Sequence, residues 1–184
     1  MTPSSPTLLI FSGLPGSGKT LLAQELARQL NAVYVRIDSI EQRLRKSQIV
    51  GEDLKDAGYR VAYAIAEDNL RLGRGVIADS VNPIEITRQA WLDVASRTGA
   101  HPVEVEVQCS DITEHRRRVE NREADIPGLQ LPNWDQVLSR NYESWDRPHL
   151  VIDTATRSVE ENVEIIRHHM ALQKKSGMRP ELPS

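Results

Sequence analysis

Cysteine is nearly missing from this chain. Cys109 is the only one in 184 residues, so no intrachain disulfide can form, and a reducing, cytoplasmic setting is expected. Long apolar runs are missing too. No stretch approaches the ~20 residues of a membrane span, so no membrane partner is expected. Met1–Pro6 has neither the basic region nor the apolar core of a signal peptide. Positive charge is not in excess either. A formal net charge of −3 offers no broad basic surface for nucleic acid, although a local basic groove is compatible with it. Internal repeats and low-complexity linkers are absent. What remains is an ordinary globular composition, most simply a single domain over 1–184 that is long enough for a full core. The tail 176–184 has two prolines and little apolar content, and is expected to be flexible.

Strand and helix signals alternate along the chain. Apolar runs at Leu8–Phe11, Val33–Ile37, Val76–Ala78, Val103–Val107 and Leu150–Ile152 read as strands. Helical spacing fills the gaps at about 19–31, 39–47, 57–73, 84–98, 111–124, 134–146 and 159–174. Asn82-Pro83-x-Glu85 has the order of an N-cap, a first-turn proline and an N3 acid. Asp111-x-x-Glu114, Asn133-x-x-Gln136 and Ser158-x-x-Glu161 have capping-box spacing. The pattern predicts an α/β fold of three layers, with a five-stranded parallel sheet between helices. Ligands of such folds bind beyond the carboxyl ends of the strands.

The residues after the first strand carry the clearest chemistry. Gly13-Leu-Pro-Gly-Ser-Gly-Lys-Thr20 matches G-x-x-x-x-G-K-[ST], between an apolar strand and a helix that begins Leu21-Leu22-Ala23. Glycines let such a loop curl so that successive N–H groups face a β-phosphate, and the helix N-terminus adds partial positive charge. Gly13, Pro15, Gly16, Ser17, Gly18, Lys19, Thr20 and Leu21 are the expected nucleotide contacts. Lys19 is expected to bridge the β- and γ-phosphates, and Thr20 to offer its hydroxyl to Mg²⁺. A GTPase switch is disfavoured, because the chain has no Asn-Lys-x-Asp and Asp79-Ser-Val-Asn82 departs from Asp-x-x-Gly. No separate helical domain suggests an assembled motor.

Two acids follow strands. Asp38 has two readings: a base that accepts or aligns a substrate hydroxyl, or an N-cap for the next helix. Asp79, behind Val76-Ile-Ala78, is either a Mg²⁺ or substrate contact or a hydrogen-bond acceptor shaping its loop. Asn82 is expected as a helix cap. Further on, His115-Arg-Arg-Arg-Val-Glu-Asn-Arg122 lies on a predicted helix before the Pro/Gly loop 125–133. Arg118 and Arg122 are four apart, which predicts projection from one helix face. A helix and loop with paired arginines suit a lid, over about 111–133, that excludes water and faces a transferring phosphoryl group. The competing reading is a solvated face paired with Glu114, Glu120 and Glu123. Trp91 is expected in the core, while Trp134, Tyr142 and Trp145 are expected to pack the lid against the body.

Together these residues resemble the P-loop kinases of the nucleoside-monophosphate-kinase superfamily, and within it the AAA_33-type group of polynucleotide kinases with the neighbouring chloramphenicol phosphotransferases and zeta toxins. The resemblance rests on Gly13–Thr20, Arg36-Ile-Asp-Ser39, Gly75–Pro83, Trp91, Arg118-x-x-x-Arg122, Trp134, Arg140-x-Tyr142 and Val151–Ala155. It implies ATP and Mg²⁺ as cofactors, Asp38 as base, and Arg118 and Arg122 as lid arginines acting with Lys19. It also implies Thr154 in the adenine pocket and an acceptor site around Arg43–Tyr59, with Asp38, Arg43 and Asp79 contacting substrate. Glu41 stands where the polynucleotide kinases carry an arginine, which favours a small hydroxylated acceptor over a polynucleotide 5′ end. A kinase of small molecules, monomeric or homodimeric, is thus expected. A 5′-hydroxyl polynucleotide kinase and a non-catalytic ATP-binding module are the alternatives.

Overall fold

The computed structural model describes residues 5–47 and 54–176. Most of the tail assigned to 176–184, and part of the acceptor segment assigned to Arg43–Tyr59, lie outside the described residues. The five strands are β1 (Thr7–Ser12), β2 (Val33–Arg36), β3 (Val76–Asp79), β4 (His101–Gln108) and β5 (Leu150–Asp153). They form one parallel sheet in the order β2-β3-β1-β4-β5. The helices are α1 (Lys19–Leu30), α2 (Ile37–Arg45), α3 (Ala57–Arg71), α4 (Glu85–Thr98), α5 (Ile112–Asn121), α6 (Trp134–Leu138) and α7 (Val159–Ser176).

Strand alternation creates two cores. Leu8 and Ile10 of β1, with Val76 and Ala78 of β3, face α3 and α4 around Trp91. Leu9 and Phe11, with Ile77 and the β4 valines, face α1 and α7. Helices therefore cover both faces, and the order places β1 in the middle with its carboxyl end opening into the Gly13–Thr20 loop. Among the described residues, no helix is long and apolar enough to cross a membrane. Trp91 is fully buried and meets Tyr63 edge-on at 4.6 Å between ring centroids. Trp91→Ala is expected to cost about 3–5 kcal/mol, measured by urea unfolding.

Several helix boundaries differ from the pattern. The helix expected over 134–146 ends at Leu138. The Glu143 N–H bonds the Pro83 carbonyl oxygen (2.8 Å) instead of the carbonyl four residues back, and the buried guanidinium of Arg88 holds the segment through the carbonyl oxygens of Glu143 (2.7 Å) and Ser144 (3.3 Å). Tyr142 and Trp145 lie against the same guanidinium. Asn82 is not a cap, since α4 is capped at Ile84 without a side-chain bond. Asn82 is instead buried at φ 44°, with Nδ2 donating to the Phe11 carbonyl oxygen at 3.2 Å. The caps at Asn133 and Ser158 form as reciprocal pairs with Gln136 and Glu161, while Asp111 accepts the N–H groups of Thr113 and Glu114 and the Glu114 carboxylate goes to Arg117 and Arg118 instead of closing the box.

Candidate active site

The loop after β1 has the shape its glycines require. Gly13 and Gly16 sit at φ 142° and 84°. A Cβ on Gly13 would collide with the Val107 carbonyl, and one on Gly16 would lie 2.5 Å from Val119 Cγ2. The first turn of α1 has no acid and no side-chain cap, so its N–H groups stay open to an anion. Ser17 Oγ is buried beside them without a hydrogen-bond partner. Pro15 is fixed from outside the loop: the buried His115 ring reaches its carbonyl oxygen at 2.9 Å, and since that oxygen only accepts, Nε2 carries the proton. His115 in turn stands edge-on to Trp134. Thr20 is half-buried and Leu21 is exposed.

Lys19 is buried, with Nζ 3.4 Å from the Leu14 carbonyl oxygen. Burial depresses its pKa, and the carboxylates of Asp79 and Asp38 act against that shift. Asp79 is 2% exposed at the end of β3. The Tyr34 hydroxyl donates to its Oδ2 at 2.6 Å, and Arg36 Nε lies 3.9 Å from the same oxygen. These partners follow from register, because Arg36 on β2 is paired with Asp79 on β3, and Tyr34 shares its strand face. Asp38 is half-buried in the first turn of α2. It is not the cap of that helix, a position Arg36 holds without a side-chain bond. No hydrogen bond or ion pair engages the Asp38 carboxylate among the described residues.

The two arginines expected on a lid diverge. α5 ends at Asn121 and Arg122 is extended, so the shared helix face expected from their spacing does not exist. Arg118 turns to Thr154, donating from Nη1 to Oγ1 at 2.8 Å and from Nη2 to the carbonyl oxygen at 3.0 Å. Its Nε bonds Glu114, which also pairs with Arg117. Thr154 is buried against the loop: its hydroxyl donates to the Ser17 carbonyl oxygen at 2.7 Å, and its Cγ2 abuts Gly18. Arg122 turns inward, with Nε buried and unpartnered. Burial lowers its pKa and the Asp38 carboxylate opposes that, while its charge reaches Lys19. The segment after α5 is pinned to the end of β2 and to the end of α2. Asp125 accepts a two-pronged bond from Arg36 at 2.5 and 3.0 Å, and Lys46 donates to the Pro127 carbonyl oxygen at 2.6 Å.

Lys19, Asp79, Asp38 and Arg122 thus gather at the carboxyl edge of the sheet, with Arg118 and Thr154 on the other flank of the loop. Arg43 does not join them. It is exposed on α2 and enters none of these contacts. Arg36 and His115 stood in the motifs singled out from the sequence without a role at the site, and Tyr34 was not singled out. Arg36 and Tyr34 alternate on β2 just ahead of Asp38, and that alternation was the available signal; nothing local marks His115.

Comparison with known proteins agrees with this architecture. The AAA_33 family model, described as an AAA domain, matches residues 8–141. The chain belongs to the AAA_33 family. Outside that family match, the chain is similar to an adenylyl-sulfate kinase of Synechococcus sp. (strain JA-3-3Ab), 28% identical over 179 residues, which cover 89% of this chain and 95% of that one. It is also similar to a shikimate kinase of Corynebacterium glutamicum, 23% identical over 181 residues, covering 90% and 97%. The fold is shared with the Mycobacterium tuberculosis APS kinase CysC in complex with AMPPNP and APS, at a TM-score of 0.69 and 19% identity, covering 92% of this AAA_33 chain and 99% of that one.

Proposed function

We propose that this chain transfers the γ-phosphate of ATP to a hydroxyl group of a small-molecule acceptor. The observation that carries this reading is the convergence of Lys19, Asp79, Asp38 and Arg122, which act on one another electrostatically across a phosphate-shaped loop. Relatives named as kinases support it.

The residues present fit ATP and Mg²⁺. The loop collides with any added Cβ at Gly13 and Gly16, Ser17 Oγ and Arg122 Nε are buried without partners, and the Thr20 hydroxyl and Asp79 carboxylate are hard oxygen ligands suited to Mg²⁺. When bound, the nucleotide supplies the phosphoryl group and the metal spreads its charge. The loop N–H groups and Lys19 hold the phosphates. Thr20 and Asp79 are the residues that would hold the metal, with Asp79 oriented by Tyr34 and Arg36. Asp38, which has no competing partner, receives or aligns the acceptor hydroxyl. Arg122 faces the charge that builds on the transferred group, and the segment pinned at Asp125 and Pro127 excludes water.

The divergence of the two arginines predicts divergent kinetics. Arg118 contacts Thr154 on the adenine side, so Arg118→Ala is expected to raise KM for ATP about tenfold with little change in kcat. Arg122→Ala is expected to lower kcat by about 10²–10³. Steady-state kinetics with ATP varied measures both. The function itself is tested by a transfer screen with γ-labelled ATP over nucleosides, sugar nucleotides, aminoglycoside and phenicol antibiotics, polyols and 5′-hydroxyl oligonucleotides. Label on a small molecule supports the reading. Label on oligonucleotide alone, or on no acceptor, overturns it.

A further inference from the structure

We infer that Glu41 is the specificity-determining residue of the acceptor side, and that the acceptor is a neutral vicinal diol whose reacting hydroxyl meets Asp38 while its neighbouring hydroxyl donates to Glu41. This rests on the kinase reading above. Asp38 and Glu41 are three residues apart on α2, which makes them neighbours one turn apart on one face. Glu41 leans into the gap between α2 and α3, and Gly58 provides the room: a Cβ there would collide with Glu41 Cγ. The carboxylate is only 19% exposed. Arg45 bonds one of its oxygens, Oε2, at 2.9 Å, which leaves Oε1 for another donor.

A second feature aims into the same gap. Ser80, 4% exposed just after β3, holds its buried Oγ beside the Tyr59 hydroxyl. Among the described residues, the Tyr59 hydroxyl accepts the Asn82 N–H, at 3.3 Å. Burial raises the pKa of both Glu41 and Tyr59, Tyr59 to about 12, as expected where water is already largely excluded.

The chemistry of these groups selects the ligand. A carboxylate only accepts, so the group facing Glu41 must donate. An acid or a phosphate at that place would confront both Asp38 and Glu41. Lys19 and Arg122, which also act on Asp38, face the nucleotide phosphates in the kinase reading, and the charges left on the acceptor side balance: Asp38 and Glu41 against Arg45 and Arg140. A neutral donor therefore fits better than a charged one, and the one-turn spacing of the carboxylates suits hydroxyls on adjacent carbons. In the transfer, the bond from acceptor oxygen to γ-phosphorus forms as the β,γ-bridging P–O bond breaks. ADP leaves with that electron pair, and the hydroxyl proton passes to Asp38.

The test uses the full chain, γ-labelled ATP and a matched panel. The neutral diols are glycerol, myo-inositol, hexoses and nucleosides, and each is paired with its singly deoxygenated analogue and with its acid or phosphate counterpart. The expected result is label on a diol, with the deoxygenated analogue about 100-fold lower in kcat/KM. Glu41→Gln and Gly58→Ala should each shrink that diol-over-analogue ratio at least tenfold, the second without removing a charge. Thermal unfolding checks that both variants fold. Best transfer to an acid or phosphate counterpart, or a ratio unchanged in both variants, overturns the inference and leaves the kinase reading standing. No label on any acceptor overturns both.

Discussion

Replacing Lys19 with alanine is expected to lower phosphoryl transfer by about 10³-fold or more while the fold survives. Lys19 is held where charge on the transferring group must be met. Arg122 and Arg36 also send their charge to it. The effect on stability runs the other way. Burial disfavours the charged lysine in the folded chain, so its removal relieves a desolvation cost that only nucleotide binding turns to use. The melting temperature without nucleotide should stay level or rise in Lys19→Ala, while the added stability that ATP confers on the wild type should largely disappear. Kinetics and thermal unfolding with and without ATP measure both. Undiminished ATP turnover in Lys19→Ala would falsify the assignment of the loop as a phosphate site.

Asp38→Asn is expected to lower kcat by about 10²–10⁴ at saturating acceptor, with KM for ATP nearly unchanged. The substitution keeps the size of the side chain and removes its charge and basicity. The Asp38 side chain caps no helix, so little structure depends on it. That separates it from Asp79, where Tyr34 and Arg36 would lose a buried partner and loss of activity would mix with loss of fold. If Asp38→Asn left transfer intact at saturating acceptor, the hydroxyl must be aligned by another group.

The parts of this molecule written in consecutive residues were legible. Five apolar runs became five parallel strands, because each is buried by helices on one or both faces. The glycine loop and the caps at Asp111, Asn133 and Ser158 are local devices, and local residues announce them. What was not legible depends on distant partners. The spacing of Arg118 and Arg122 implied one helix face, yet the helix ends between them as the following segment docks on the ends of β2 and α2 through Asp125 and Pro127. The helix expected through residue 146 stops early as Pro83 and Arg88, more than fifty residues upstream, take the Glu143 N–H and the carbonyl oxygens of Glu143 and Ser144. Arg36 gained its place beside Asp79 only when β2 paired with β3. Nothing within β2 indicates which strand will lie beside it.

The central claim is that the site delivers phosphate to a hydroxyl and not to water. The most direct measurement is a single-turnover reaction with γ-labelled ATP and the best acceptor, counting ADP, free phosphate and phosphorylated acceptor together. One phosphorylated acceptor for each ADP, with little free phosphate and with acceptor-free hydrolysis slow, is the predicted result. ADP matched by free phosphate at every acceptor concentration would contradict the claim and make the chain an ATP-hydrolysing or ATP-sensing module instead.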